Sequence, residues 1–503
     1  MRCIIIAILF FPLWGFSQAD PFRKKILTPH EMQEDFSYMR RVFEETHPGL
    51  YRYTSKNAMQ AKLDSLEKLL ETERGFYDFY RILSRLISDI RCAHTHLLPT
   101  KDFAAFYNNQ IETFPLMLFF TEGAYYVTVN GTSDTSIKPG FELLSINGKS
   151  IHAIRNEMQR GLWSDGYNQT GKNKALSEGF FPLFYYLLID QSERFVLKMK
   201  DLDNIEIEKS VPAQYLDETK RFFKSNPVNK EILAIYEPKN KLENKKGWRF
   251  SITEKENIGI IRINGFGGGR NEEEARQKMR SFMDGCMKKL HKQKVDALIL
   301  DLRNNGGGWD IQGVELFTYF MDKPTRCYKR LHCLTDSTEF FSLSDLSEED
   351  LSNVKKELQK ESDGTFSIRQ DLTEQLQVQQ PKKNRFTGKV YVLANGGSAS
   401  ACAEFIAYAK SNSAIRVIGE ETSGVYEGGN GGSFLNFELP NSKIKIGSPL
   451  LYYDNDVTPP ALTGRGTLPD YVVDQKMSDL LKGKDTQLNY ALSLIREMQR
   501  SNL

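Results

Sequence analysis

Val390-Tyr391-Val392-Leu393-Ala394-Asn395-Gly396-Gly397-Ser398-Ala399-Ser400-Ala401-Cys402-Ala403-Glu404-Phe405 passes from an apolar run, through a corner of small residues, into a helical pattern. The run reads as a buried strand, and the corner places Ser400 at a helix N-terminus. There the helix dipole and the unpaired N–H groups favour a developing oxyanion. By itself such a serine is more often an N-cap. A second segment changes the balance. Ala297-Leu298-Ile299-Leu300-Asp301-Leu302-Arg303-Asn304-Asn305-Gly306-Gly307-Gly308 is another buried strand that ends in a glycine turn. Glycines let backbone N–H groups face a cleft without side-chain obstruction. Such a turn suits an oxyanion hole or a phosphate, but no Gly-Lys-Ser/Thr follows, which argues against a nucleotide loop. The pair points to Ser400 as nucleophile, with the N–H groups of Gly307, Gly308 and Ala401 as oxyanion donors.

Around these segments, residues 248–475 alternate strands (Ile258–Ile263, Ala297–Leu302, Val390–Ala394, Arg416–Ile418) with helices (Asn271–Leu290, Ile311–Met321, Ala401–Ser411). That alternation predicts a layered α/β unit. A polar insertion, 328–387, interrupts it and is expected to cover the site as a lid; Ser347-Glu348-Glu349-Asp350 starts a short helix in it. Residues 213–247 are charged and mixed and read as a linker. Upstream, 111–212 is strand-like, with Gly140-Phe141-Glu142-Leu143-Leu144-Ser145-Ile146-Asn147-Gly148-Lys149-Ser150-Ile151 forming a strand, an Asn-Gly turn and a return strand. This run resembles the signature of a PDZ domain, in which a peptide adds a strand to a sheet edge. Gly140, Phe141, Glu142 and Leu143 are then the candidate peptide-binding residues. Residues 20–110 carry helical periodicity, broken at His47-Pro48-Gly49, and 476–503 ends in a docking helix.

Residues 1–19 read as a secretory signal: Arg2, an apolar run from Cys3 to Phe16, then Ser17-Gln18-Ala19. The protein is therefore expected to be exported, to a periplasm or the cell exterior. No later run is long and apolar enough to span a bilayer. Lys and Arg total 67 against 65 Asp and Glu, which removes the electrostatic case for nucleic-acid binding. Five scattered cysteines follow the signal and do not read as a disulfide framework; Cys327 and Cys333 alone are close enough in sequence to raise the question of pairing.

The two chemistry-bearing segments resemble the C-terminal-processing, or tail-specific, serine peptidases and their tricorn-like relatives. The family's Asp-x-Arg-x-Asn-x-Gly-Gly element is similar to Asp301–Gly308. Its Gly-Ser/Thr-x-Ser element matches Gly397–Ser400, and later elements match Gly419-Glu420-Glu421-Thr422 and Gly466-Thr467-Leu468-Pro469-Asp470. The resemblance covers about 90–480. It implies a crotonase-like α/β catalytic core with a PDZ-like β domain and a helical N-terminal domain, acting as a serine endopeptidase on peptides or unfolded protein tails, with no metal or organic cofactor. Many members use a lysine base, but Val425 stands at that position. The tricorn-like branch uses a histidine, which matches His94 in Arg91-Cys92-Ala93-His94-Thr95-His96-Leu97, and a glutamate, whose place is taken by Thr463. Glu421 is the candidate acid to orient His94, although a structural use is equally open to it. His94 and His96 on one strand also admit a metal reading, but no further ligand cluster accompanies them. Two rivals remain: a catalytically degenerate homologue that only binds peptides or other ligands, and a crotonase-like enzyme acting on acyl thioesters, which export disfavours.

Overall fold

The computed structural model describes residues 20–98, 100–177, 179–235 and 247–501. The expected signal, 1–19, lies outside the described residues.

Six strands form the sheet of the α/β unit, in the order Trp248–Ile252, Ile258–Ile263, Ala297–Asp301, Lys389–Ala394, Arg416–Gly419, Tyr471–Val472. All pairs are parallel except the first. Alternation along the strands splits their side chains between two faces. Leu298, Leu300, Val390 and Val392 pack under helices Glu272–Lys292, Asp310–Phe317 and Ala401–Asn412. Ile299, Tyr391, Leu393 and Ile418 pack under the C-terminal helix Thr486–Ser501. Burial on both faces explains why these strands read as continuous apolar runs rather than as alternating ones.

The insertion does more than cover. Tyr328–Cys333, Leu358–Lys360 and Phe366–Ile368 are strands of a second sheet, completed by Gly428–Glu438 and Lys445–Asn455. This sheet also takes a strand from the N-terminal part of the chain: His96–Leu98 pairs with Lys445–Gly447. A strand far away in sequence thus anchors the candidate histidine loop to the catalytic unit. Within the insertion, helix Glu348–Glu357 begins with the expected capping box at Ser347 and buries none of its residues.

The PDZ-like sheet runs Glu206–Pro212, Arg194–Lys200, Glu142–Ile146, Ala124–Asn130, Leu116–Thr121. Asn147 and Gly148 form the expected turn, both with positive φ. The expectation that a peptide adds at Gly140–Leu143 is corrected here. Leu143 is paired with Tyr125 on one side and Met199 on the other, and Gly140 and Phe141 bond Val127. The strand is internal, so its hydrogen bonds are already spent. Gly140 instead serves a close approach: a Cβ there would sit 2.8 Å from Leu481. The expected linker is also partly built. Gln214–Tyr215 pairs with Glu112–Thr113, helix Leu216–Ser225 follows, and Asn229 exchanges hydrogen bonds with the backbone of Asn130. Residues 236–246 lie outside the described ones.

The N-terminal helices Pro29–Thr46, Lys56–Lys68 and Phe76–Ile90 share one hydrophobic core with the PDZ-like sheet and with Ile444 and Ile446. The five cysteines among the described residues are free and buried, Cys327 and Cys333 included. Among the described residues, no helix is long and apolar enough to cross a membrane.

Candidate active site

Ser400 is the N-cap of helix Ala401–Asn412 and has φ 51° and ψ −136°. A residue with a Cβ enters that region only where the surroundings force it, and such strain gathers at functional sites. The forcing comes from the glycine turn. A Cβ on Gly307 would lie 2.7 Å from the Ser400 Cβ and 2.9 Å from the Ala401 nitrogen, so only glycine lets the turn press against the serine. Asn305 locks the turn in place: its Oδ1 accepts the Gly307 N–H at 2.9 Å, its Nδ2 donates to the Ile263 carbonyl, and its own carbonyl accepts the Ala399 N–H. Of the three expected oxyanion donors, Gly307 is therefore engaged. The N–H groups of Gly308 and Ala401 have no hydrogen bond among the described residues.

The other motif residues hold this corner together. Ser398 is fully buried; its hydroxyl donates to the Leu302 carbonyl at 2.9 Å and accepts the Asn395 N–H. Arg303 pairs with Asp301 and reaches Asp485 at the base of the C-terminal helix. Asp470 accepts the Val417 N–H and pairs with Lys410 at 3.2 Å.

His94 lies in a turn just before the strand His96–Leu98, not within it. The two histidines therefore do not share a strand face. His96 packs against Trp163 and against Gly447, where a Cβ would meet its ring at 2.5 Å. The His94 ring stacks on Phe434 at 5.7 Å, and its Nδ1 is buried with no hydrogen-bond partner among the described residues. A continuous set of contacts connects His94 to Ser400. The Ala93 N–H donates to Asp165 at 2.7 Å, and the Gly166 N–H donates to the Arg91 carbonyl. Gly166 abuts Val425, and Gly424 abuts Ala403 and the Ser400 nitrogen. Asn168 and Thr170 bond the carbonyls of Thr422 and Glu421.

The expected orienting acid is corrected. Both Glu421 oxygens go to the Arg465 guanidinium, and Oε1 also accepts the Gly466 N–H. The carboxylate beside His94 is Asp165. Burial raises its pKa, while the His94 charge, the Ala93 N–H and Arg52 act in the opposite direction. Val425 is buried and apolar. Lys172, which burial lowers to about 8, is spent on Ser88 and the Gln159 carbonyl in the helical part.

Three neighbours of this corner and of His94 carried no sequence signal. His47 appeared only as a helix breaker. In the fold its Nε2 lies 2.6 Å from the Thr95 hydroxyl, its Nδ1 accepts the Gly49 N–H, and burial lowers it to about 4, so it is neutral. It fixes the residue next to His94. Glu404, one turn beyond Ser400, accepts the Tyr328 hydroxyl at 2.7 Å. Burial pushes it up to about 8; Asp310 and Asp165 add to this and the Tyr328 bond opposes it. Asp310, just after the glycine turn, is also raised by burial. Among the described residues, no group of His, Cys, Asp and Glu could hold a metal ion.

A strained serine at a helix N-terminus, facing a glycine turn, is an arrangement suited to acyl transfer, and the comparisons with known proteins point to a peptidase fold. Residues 257–473 match the model of peptidase family S41. Mature CPAF is similar in structure, with a TM-score of 0.62 at 15% identity over 93% of this chain and 96% of that one. The complex of mature CPAF with lactacystin gives 0.63 at 14% identity, over 94% and 98%. The photosystem II D1 C-terminal processing protease is a looser likeness, with a TM-score of 0.39 at 14% identity over 91% and 98%. No curated protein matches the sequence.

Proposed function

We propose that the protein is an exported serine endopeptidase that cleaves peptides or unfolded protein tails through an acyl-enzyme on Ser400. The observation that carries this is the strained Ser400 backbone pressed against Gly307, beside the free N–H groups of Gly308 and Ala401. Ser400 Oγ attacks the peptide carbonyl, and His94 takes its proton and returns it to the leaving amine. Asp165 supplies negative charge behind His94. Gly308 and Ala401 bind the oxyanion, where one donor is typically worth about 100- to 1000-fold in rate. If the PDZ-like sheet captures an extended segment, it does so at a terminal strand such as Leu116–Thr121, because Gly140–Leu143 is internal. The signal-like residues 1–19 support a site of action in a periplasm or outside the cell.

The test pairs a fluorophosphonate probe with peptide hydrolysis. The wild-type protein should label at Ser400 and turn over peptides, and Ser400→Ala should do neither while keeping its fold. An unlabelled wild type that binds but never cleaves peptides would refute the proposal.

A further inference from the structure

An apolar cavity of about 60 Å³ lies beneath the insertion helix Glu348–Glu357. Phe341, Leu351, Val354, Ile368 and Leu451 are among the residues that line it. The helix buries no residue, yet Leu351 and Val354 turn toward this space. An apolar helix face set over an unfilled hollow forfeits the contacts that ordinarily hold a helix in place. Something apolar would complete the packing.

The position of the cavity says what that is. Two of its walls belong to the segments that hold His94. Ser433 lines it and precedes Phe434, the ring that stacks on His94. Thr46 lines it and precedes His47, whose imidazole meets the Thr95 hydroxyl next to His94. The hollow thus shares two segments with the surroundings of His94. Asp336 and Lys355 are the charged residues in the lining, one of each sign, so the hollow selects no net charge.

Resting on the peptidase reading above, we infer that the hollow under helix Glu348–Glu357 is a specificity pocket that receives one large apolar side chain of the substrate, near the scissile bond. The helix acts as its roof, and the side chain supplies the missing core. An apolar pocket that discriminates by size gives roughly 10- to 200-fold between substrates.

The experiment uses internally quenched peptides that are identical except at one position, scanned along the sequence with Ala, Leu or Phe. The wild type should prefer Leu or Phe over Ala by about 10-fold or more at one position. Leu351→Trp and Val354→Trp, on a helix with no buried residue, fill the hollow without disturbing a packed core. Each should abolish that preference, keep the rate on the Ala peptide and keep fluorophosphonate labelling of Ser400. A wild type with no such preference, or a preference that survives both fillings, overturns the inference while leaving the peptidase reading in place. An apolar dye such as anilinonaphthalene sulfonate, displaced by the fillings but not by peptide, would make the hollow a separate ligand site and also overturn it. Absence of both labelling and hydrolysis in the wild type removes the peptidase reading and this inference together.

Discussion

Glu404→Gln tests the electrostatics of the nucleophile helix. Burial, with Asp310 and Asp165 nearby, raises Glu404 from 4.5 to about 8. The folded protein therefore keeps a proton on Glu404 between pH 4.5 and about 8 that the unfolded chain releases. Stability from this site is greatest below about pH 4.5, declines as pH rises through that interval, and levels off above about 8. At about 1.4 kcal/mol per pH unit, the effect is capped at about 5 kcal/mol, and the partial exposure of Glu404 reduces it. Glutamine stays neutral and can still accept the Tyr328 hydroxyl, so its stability has no such slope.

Activity should show the same titration. Glu404 is one turn from Ser400, about 6 Å along the helix axis. Two negative charges about 6–8 Å apart repel by about 2–3 kcal/mol at an effective dielectric of 20. Ionising Glu404 should therefore slow oxyanion formation about 30- to 100-fold. Chemical unfolding at pH 5, 7 and 9, together with a pH–rate profile, measures both effects. Relative to Glu404→Gln, wild type should lose stability between pH 5 and about 8, with the difference level above that, and should lose rate as pH rises through about 8. A stability difference constant from pH 5 to 9, with parallel rate profiles, would refute the assignment of a raised, proton-bearing Glu404.

Gly307→Ala should cut peptide turnover by at least about 100-fold, because its methyl group collides with Ser400 at 2.7 Å; rates near wild type would show that the turn does not position the serine. Ser398→Ala should lower stability by about 1–3 kcal/mol, since it leaves the Asn395 N–H and the Leu302 carbonyl short of a partner, and it should only partly lower activity; complete loss of activity in a folded variant would shift the nucleophile to Ser398. Asp165→Asn should lower kcat by more than about 10-fold with little change in KM if it acts through His94, and an equal loss of stability and activity would instead make it purely structural. His47 is held neutral by a pKa lowered to about 4, so its share of stability is present above pH 6.5 and is lost as pH falls toward 4; His47→Gln should flatten the acid-unfolding profile over that range, and an unchanged profile would contradict the assignment.

The α/β unit was legible because its strands are buried on both faces and its turns use glycines for backbone reasons. Ala297–Asp301 and Lys389–Ala394 fall within a residue of the runs that the sequence shows. The Asn147-Gly148 turn was legible on the same local grounds, but pairing is not local. That Glu142–Ile146 has neighbours on both sides depends on Arg194–Lys200, about fifty residues on, and nothing within Gly140–Leu143 reveals it. Acid partners fail for the same reason. Glu421 looks available until Arg465 comes to it, and Asp165 looks like an ordinary turn aspartate until Ala93 does. The decisive step is the pairing of His96–Leu98 with Lys445–Gly447, across some 350 residues. With a lysine following the nucleophile helix, the base would arrive on the same unit as the serine. With Val425 in its place, the proposed base His94 comes from the N-terminal part of the chain, and the second sheet is what ties its loop to the α/β unit. Three strands of that sheet come from residues 328–387, so the insertion that reads as a lid is also the frame that holds His94 to the site. Changes that loosen Tyr328–Cys333 against Lys445–Asn455 should accordingly lower kcat before they unfold the α/β unit.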